Sequence, residues 1–304
     1  MSAPTVSYVL SDTFPYEKSF YEDSGPPFAA DYGWTTCHLS SVDEMAADIF
    51  VVDDRILPFE LPRLRNTIES SKRTFLLKLC DPGMDHCTGH WWYHFATMIL
   101  DIPNVHYLLN YQPTEWTARF FVRARRSKFV WAPYLYNVEN ERNIDHTSRS
   151  GTFIVSGRIQ PQLYPLRTQM NSMSRIPPLS LITKHLPHPG YRDRTHDAVG
   201  SSYVDILSHY RFGAVCSSRC RVELLKYREF AYAGLVPVGD LPFTLFDCPA
   251  DAWVPWKRNV FAMTAAMRGP DESQRMAETY RAFMRRVRDA APMRDQVTEA
   301  LSRL

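Results

Sequence analysis

The segment KYREFAYAGLVPVGD, at residues 226–240, joins a charged helical stretch to a glycine and an apolar run. Gly234 is typical of a helix C-cap, and the LVPV run after it is apolar enough for a buried parallel strand. We therefore expect Glu229 to lie at the end of the helix, next to the crevice above a sheet. A carboxylate there can accept two hydrogen bonds from the vicinal hydroxyl groups of a ribose. The alternatives are a solvated Glu229, and an ion pair between Lys226 and Glu223 on the helix surface.

A second stretch, IVSGRIQPQLYPLR at residues 154–167, places arginines directly after a predicted strand. Gly157 would let a phosphate approach the backbone, because glycine carries no side chain. Arg158 and Arg167 can each present a planar fork of donors to phosphate oxygens. The alternative is an ordinary strand-to-helix turn with two surface arginines.

A third cluster of reactive side chains occupies CDPGMDHCTGHWWYHF, at residues 80–95. Three histidines spaced by four residues would share one face of a helix, but they would span about 12 Å at 1.5 Å per residue. One zinc ion therefore does not fit all three easily, although a zinc site stays an alternative to core or surface histidines. The segment follows a predicted strand, so its loop should face a ligand site. The candidates for a general base in this loop are Asp81, Asp85 and His86.

Short apolar runs alternate with helical stretches along the whole chain, which indicates βαβ units and parallel sheets. The predicted strands are residues 6–10, 48–53, 74–79, 105–110, 128–133, 151–157, 178–185, 213–218 and 235–239. The polar segment 136–150 has no apolar period and is predicted to be a linker. We therefore expect two α/β domains, at residues 1–148 and 149–304. Ligands of such sheets bind outside the carboxyl ends of the strands, and two facing domains would create a cleft there.

Composition limits the classes of protein to consider. The net charge of +2 argues against a nucleic-acid partner. The six cysteines lack the paired spacing of a zinc ribbon, so reduced thiols are expected. No basic flank with an apolar run begins the sequence and no long uncharged apolar stretch follows, so we expect neither a signal peptide nor a transmembrane segment. These features favour a cytoplasmic protein, and no oligomeric state follows from them.

The stretch KYREFAYAGLVPVG resembles the nucleotide-sugar signature of two-domain glycosyltransferases with the GT-B fold. In that signature a glutamate and small residues precede a glycine, one apolar residue, and then proline and valine. The stretch SGRIQPQLYPLR resembles the loop that opens the C-terminal domain of these enzymes, most closely in the spore-maturation-type, family 4-like group. The resemblance covers residues 150–240. It implies two Rossmann-like domains that face a cleft, with a trimmed N-terminal domain on the acceptor side and donor binding in the C-terminal domain.

The resemblance implies a role for each matching residue. Glu229 would hold the ribose hydroxyl groups of the donor nucleotide. Gly157 would let the backbone approach the phosphates. The diphosphate would be neutralised by Arg158, Arg167 and Lys226. The other donor-binding residues that it implies are Ser217, Ser218 and Tyr227.

The implied activity is transfer of a sugar from UDP or GDP to a small-molecule, glycan or protein acceptor, of EC 2.4 type. The nucleotide sugar is a co-substrate, and neither a cofactor nor a metal is expected, because arginine and lysine can stabilise the leaving diphosphate. An inverting enzyme would also need a base, for which Asp81, Asp85 and His86 are the candidates.

The sequence departs from the family pattern at Arg221, where retaining members usually carry a second glutamate, eight positions before Glu229. Retention or inversion of the anomeric configuration therefore stays open. Two alternatives also stay open: a nucleotide-sugar epimerase on the same fold, and a catalytically silent subunit that binds a nucleotide sugar.

Overall fold

The chain folds into two compact units in the computed structural model. The first unit comprises residues 1–135 and 290–304, and the second comprises residues 136–289. Within these units the structure describes residues 3–16, 25–79, 91–110, 128–157, 159–186, 200–218 and 221–304. Among the helices of these described ranges, none is both long and apolar enough to cross a membrane.

The first unit is built on a parallel sheet whose strand order is β2-β1-β3-β4-β5-β6. Its strands are β1 (Val6–Leu10), β2 (Thr35–His38), β3 (Ile49–Val52), β4 (Thr74–Leu79), β5 (Val105–Leu109) and β6 (Phe129–Trp131). Its helices are α1 (Pro26–Asp31), α2 (Leu61–Ser70), α3 (Trp91–Met98) and, from the end of the chain, α9 (Ala290–Leu301). The central strands are continuous apolar runs, such as IFVV in β3, because parallel strands are covered on both faces.

The second unit contains a parallel sheet with the order β11-β10-β9-β7-β8. Its strands are β7 (Ser150–Val155), β8 (Thr183–His185), β9 (Tyr210–Val215), β10 (Val236–Gly239) and β11 (Val254–Pro255). Its helices are α4 (Pro165–Met173), α5 (Gly200–Leu207), α6 (Leu225–Ala233), α7 (Val260–Ala266) and α8 (Pro270–Val287). Two parallel sheets with helices between their strands agree with the α/β class that the sequence predicts.

The division of the chain differs from the predicted boundary at residue 148. The polar segment predicted as a linker is bound to the second unit: Asn137 N donates to Tyr232 Oη at 2.9 Å, and His146 lies 2.8 Å from both Ser273 Oγ and Gly234 O. A segment without an apolar period can thus be held by hydrogen bonds rather than by apolar packing.

The last helix also differs from the prediction, which placed all C-terminal helices in the second domain. Val297 and Leu301 of α9 are buried in the core of the first unit, where Tyr8, Leu108 and Val130 are also buried. These two residues are four apart and lie on one face of the helix. The apolar stripe of α9 therefore completes the core of the first unit, although α9 follows the second unit in the sequence.

One strand of the first unit has no counterpart in the predicted list. Strand β2 has the sequence TTCH, and only one of its four residues is buried. Among the described strands it is the last one at this edge of the sheet, and it carries no apolar run that would reveal it in the sequence. The β8 strand is also shorter than predicted, because residues Leu179–Ile182 form a 3-10 turn before it.

Candidate functional site

The topology of the second sheet singles out one place for a ligand. The chain runs from β7 outward to β8, then returns across β7 to β9, β10 and β11, so the strand order reverses between β7 and β9. Ligands of open α/β sheets bind at such a switch point, outside the carboxyl ends of the strands. Ser156 and Gly157 follow β7 at this edge, and Ser217 and Ser218 follow β9.

Two cations converge on Gly157. Its φ angle of 96° lies in the left-handed region that favours glycine. A Cβ atom on this residue would lie 2.9 Å from Arg167 Nη1 and 2.9 Å from Lys226 Nζ. Arg167 lies in the first turn of α4 and is buried, with its guanidinium carbon 4.2 Å from the centroid of the Tyr164 ring. Because Gly157 has no side chain, the guanidinium group of Arg167 and the ammonium group of Lys226 both lie close to its backbone.

The ammonium group of Lys226 is anchored at the end of β7. Its Nζ donates to Ser156 O at 2.9 Å and to Ser156 Oγ at 2.8 Å. Ser156 Oγ lies 2.6 Å from Tyr203 Oη, so helix α5 supports the same arrangement. Burial and then the nearby charge of Arg167 lower the pKa of Lys226 to about 7, against an opposing effect of Glu229. Lys226 therefore changes its charge near neutral pH.

Helix α6 carries Glu229 in its second turn rather than at its end, which corrects the expectation that Glu229 lies at the helix exit. Because β9 and β10 are parallel, α6 begins at the carboxyl edge of the sheet and ends at the amino edge. Its exit is capped by arginines: Arg281 Nε donates to Ala231 O and Arg149 Nη1 donates to Ala233 O, each at 2.8 Å. The end of α6 is therefore far from the switch point, whereas its beginning is next to it.

Glu229 nevertheless belongs to the surroundings of the switch point. It is half-buried and lies three residues after Lys226, on the same side of the helix. Its charge acts with burial to raise the pKa of the Tyr203 phenol, and it favours the charged form of Lys226. One carboxylate, one ammonium group and one guanidinium group are thus grouped beside the end of β7.

A second hydrogen-bonded group lies at the ends of β9 and β10. Ser217 N donates to Asp240 Oδ1 at 2.7 Å, and Ser217 Oγ donates to Asp240 Oδ2 at 2.6 Å. Tyr227 Oη lies 2.9 Å from Asp240 O and 3.3 Å from Asp240 Oδ1. Ser217, Ser218 and Tyr227, which the sequence assigned to donor binding, are all buried at this edge.

The structure brings most of the predicted donor-side residues together. Gly157, Arg167 and Lys226 meet at one point, and Glu229 lies one helical turn from it. Arg158 and the candidate bases Asp81, Asp85 and His86 lie outside the described residues.

Sequence reasoning missed three residues of this edge: Ser156, Tyr203 and Asp240. Ser156 lies near the end of the predicted strand 151–157 and Asp240 directly follows the predicted strand 235–239, so a search for polar residues at strand ends would have found them. Tyr203 carries no such signal, because only the packing of α5 brings it to Ser156. Arg221, where the family pattern has a glutamate, is exposed, has a φ of 54° and lies over the Phe243 ring at 5.7 Å.

No family model and no curated protein matches this chain. Solved structures do share its fold. Anabaena Alr3699/HepE, in complex with UDP and glucose, is similar with a TM-score of 0.63 at 10% identity, over 99% of this chain and 100% of that one. An α-glucosyltransferase in complex with UDP has a TM-score of 0.60 at 10% identity, over 94% and 88% of the two chains. Sucrose-phosphate synthase from Thermosynechococcus elongatus has a TM-score of 0.59 at 9% identity, over 99% and 98%.

These similarities extend over both units and establish the fold class. The protein has two Rossmann-like α/β domains of the GT-B type, and the predicted fold class is confirmed. The finer assignment to the spore-maturation-type group stays a prediction. At about one identical residue in ten, the similarity establishes the fold alone.

Proposed function

We propose that the protein is a glycosyltransferase that moves a sugar from a nucleoside diphosphate to a hydroxyl or amino group of an acceptor. The observation that carries this proposal is the convergence of Arg167 and Lys226 on Gly157 at the strand-order reversal. A diphosphate is the ligand class that suits two cations beside the half-buried backbone of a glycine. The ligands of the similar structures, UDP and UDP-glucose, make UDP the first nucleotide to test.

The reaction needs stabilisation of the diphosphate that leaves. Arg167 and Lys226 would neutralise its developing charge, which lowers the barrier more than it stabilises the substrate. The N-termini of α4 and α6 lie at the same edge and would add the positive ends of two helix dipoles. These groups support a mechanism without a metal ion. An inverting reaction would require a base, and Asp81, Asp85 and His86 stay the candidates.

Glu229 would accept hydrogen bonds from the ribose hydroxyl groups of the donor. Its position one turn after Lys226 suits this role, because the ribose is attached to the diphosphate that Lys226 would bind. We expect Glu229→Ala to weaken UDP binding by about 10-fold, the value of one or two hydrogen bonds to a charged group. Thermal-shift and calorimetric titrations with UDP, GDP and their glucose or mannose derivatives would measure the loss.

The matched control is Glu139→Ala, which removes an exposed carboxylate from the same unit. It should bind the nucleotide as the wild-type protein does. Equal stabilisation of wild type and Glu229→Ala would contradict the ribose role. Binding of UDP without transfer to any acceptor would favour the silent subunit, and conversion of the donor sugar without an acceptor would favour the epimerase.

UDP affinity should depend on pH through Lys226. The free protein holds the pKa of this lysine at about 7, and a bound diphosphate favours its protonated form. Binding should therefore take up a proton, and affinity should fall by up to about tenfold per unit as pH rises between about 7 and 9. Calorimetry in buffers of different ionisation enthalpy would measure the proton uptake. A flat affinity with no uptake, or the same profile in Lys226→Met, would contradict this assignment.

A further inference from the structure

Asp240 and Gly157 both lie at the carboxyl edge of the second sheet. Strands β7, β9 and β10 are neighbours. Their pairing, extended past the strand ends, aligns Gly157 with Cys216 and Cys216 with Asp240. With a spacing of about 4.8 Å between neighbouring strands, this alignment corresponds to about 10 Å between Gly157 and Asp240 along the edge. The pairs that define this register are Ile154 with Gly213 and Val215 with Gly239.

That separation suits the two parts of one ligand. In a hexose attached to a diphosphate, the hydroxyl groups on the far side of the ring lie at a comparable distance from the diphosphate. If the phosphates lie against Gly157 and the sugar extends across β9, its hydroxyl groups meet the end of β10. Asp240 is the polar residue at that end.

The carboxylate of Asp240 is held in one orientation. Ser217 binds both of its oxygens, through N at 2.7 Å and Oγ at 2.6 Å, and the Tyr227 hydroxyl lies 3.3 Å from Oδ1. An ionised carboxylate offers about four acceptor positions, and these three contacts leave at least one on Oδ2. Among the described residues its hydrogen-bond partners are Ser217 and Tyr227, which are uncharged. Asp240 is half-buried, so part of this residue is accessible at the edge of the sheet.

Adjacent residues of α6 support the two parts of this edge. Lys226 reaches the end of β7 through Ser156, whereas Tyr227 reaches the end of β10 through Asp240. The first turn of one helix therefore fixes the distance between the cationic end and the carboxylate end. Such an arrangement suits a ligand that has phosphate at one end and hydrogen-bond donors at the other.

We propose that Asp240 binds a hydroxyl group of the sugar carried by the donor and thereby selects that sugar, with Ser217 and Tyr227 as positioning residues. This inference rests on the proposed function, since it requires a nucleotide sugar at the switch point. A fixed carboxylate accepts a hydrogen bond from a hydroxyl group and discriminates against an analogue without it. UDP alone has no such hydroxyl group and should not depend on Asp240.

The test compares UDP with UDP-glucose, UDP-galactose and UDP-N-acetylglucosamine on the wild-type protein and on Asp240→Asn. The asparagine keeps a carbonyl oxygen for Ser217 N, so the fold should be retained. We expect the dissociation constant of UDP to change less than about twofold, and that of at least one nucleotide sugar to rise about 10- to 100-fold. Asp247→Asn, an exposed residue on the following loop, is the matched control and should change neither constant.

Equal weakening of UDP and of every nucleotide sugar, or no change in any of them, would overturn the role of Asp240. A second measurement uses only the wild-type protein and so does not depend on the folding of a variant. Among donors that lack one sugar hydroxyl group, at least one should bind at least about tenfold more weakly than the complete nucleotide sugar. Equal binding of all such donors would also overturn the inference. If the wild-type protein binds neither UDP nor any nucleotide sugar, the proposed function itself fails, which is a distinct result.

Discussion

Lys226→Met is expected to weaken UDP binding by about 10- to 150-fold, because one charge-assisted contact to a phosphate contributes about 1.5–3 kcal/mol. The ammonium group lies against Gly157, held by two contacts to Ser156 at 2.8 and 2.9 Å. Methionine keeps most of the buried aliphatic length and removes only the charge and its donors. Isothermal titration calorimetry at about pH 7 would measure the change.

Lys257→Met provides the control for this variant, because Lys257 is an exposed lysine of the same unit. It should leave the affinity for UDP within about twofold of the wild-type value. An unchanged affinity in Lys226→Met would remove the cation from the proposed diphosphate site. A loss of equal size in both variants would indicate a general effect of net charge rather than a contact at Gly157.

Glu223→Gln is expected to lower the free energy of unfolding of the second unit by about 3–5 kcal/mol. Arg288 donates through both Nε and Nη2 to the two carboxylate oxygens of Glu223, and Thr244 Oγ1 donates to Oε2 at 2.6 Å. The side chain of Arg288 is 4% exposed and that of Glu223 is 14% exposed. Neutralising the glutamate therefore takes the opposite charge away from a buried guanidinium group, and this loss causes most of the cost.

The comparison for Glu223→Gln is Glu272→Gln. Glu272 lies in the first turn of α8 and pairs with Arg268, which precedes the helix. Those side chains are about half exposed, at 47% and 54%, and their closest atoms lie 3.8 Å apart. Water and salt screen such a pair, so the expected cost is below about 1 kcal/mol. Urea unfolding followed by circular dichroism would compare the two variants. Costs of similar size would mean that the Glu223–Arg288 pair is not effectively buried.

The strands of both sheets were largely predictable from the chain. Segments such as VSYVL, TFLLKL and LVPVG are apolar runs of strand length between polar stretches, and each lies in a sheet. The exceptions are TTCH in β2, which lies at an edge and has one buried residue, and the two-residue strand β11. Runs of apolar residues therefore report burial on both faces of a sheet and give no signal where one side is open.

The donor-side candidates were singled out because they follow predicted strands at short distances along the chain. Gly157 lies two residues after β7 and Arg167 lies in the first turn of α4, and the local pattern indicated both. The position of Glu229 was predicted wrongly at the exit of α6, because the direction of that helix depends on the parallel pairing of β9 with β10. The hydrophobic periodicity of a strand does not show which other strand it pairs with.

The sequence by itself determined the alternation of strands and helices and the presence of arginine, lysine and glutamate beside strand ends. Only the tertiary structure decided which of these groups meet. Lys226 binds Ser156 from 70 positions away, and Ser217 binds Asp240 from 23 positions away. It also decided that α9 completes the first unit. The physical reason is that local periodicity determines which face of an element is buried, whereas register, strand order and long-range hydrogen bonds determine which elements that face contacts.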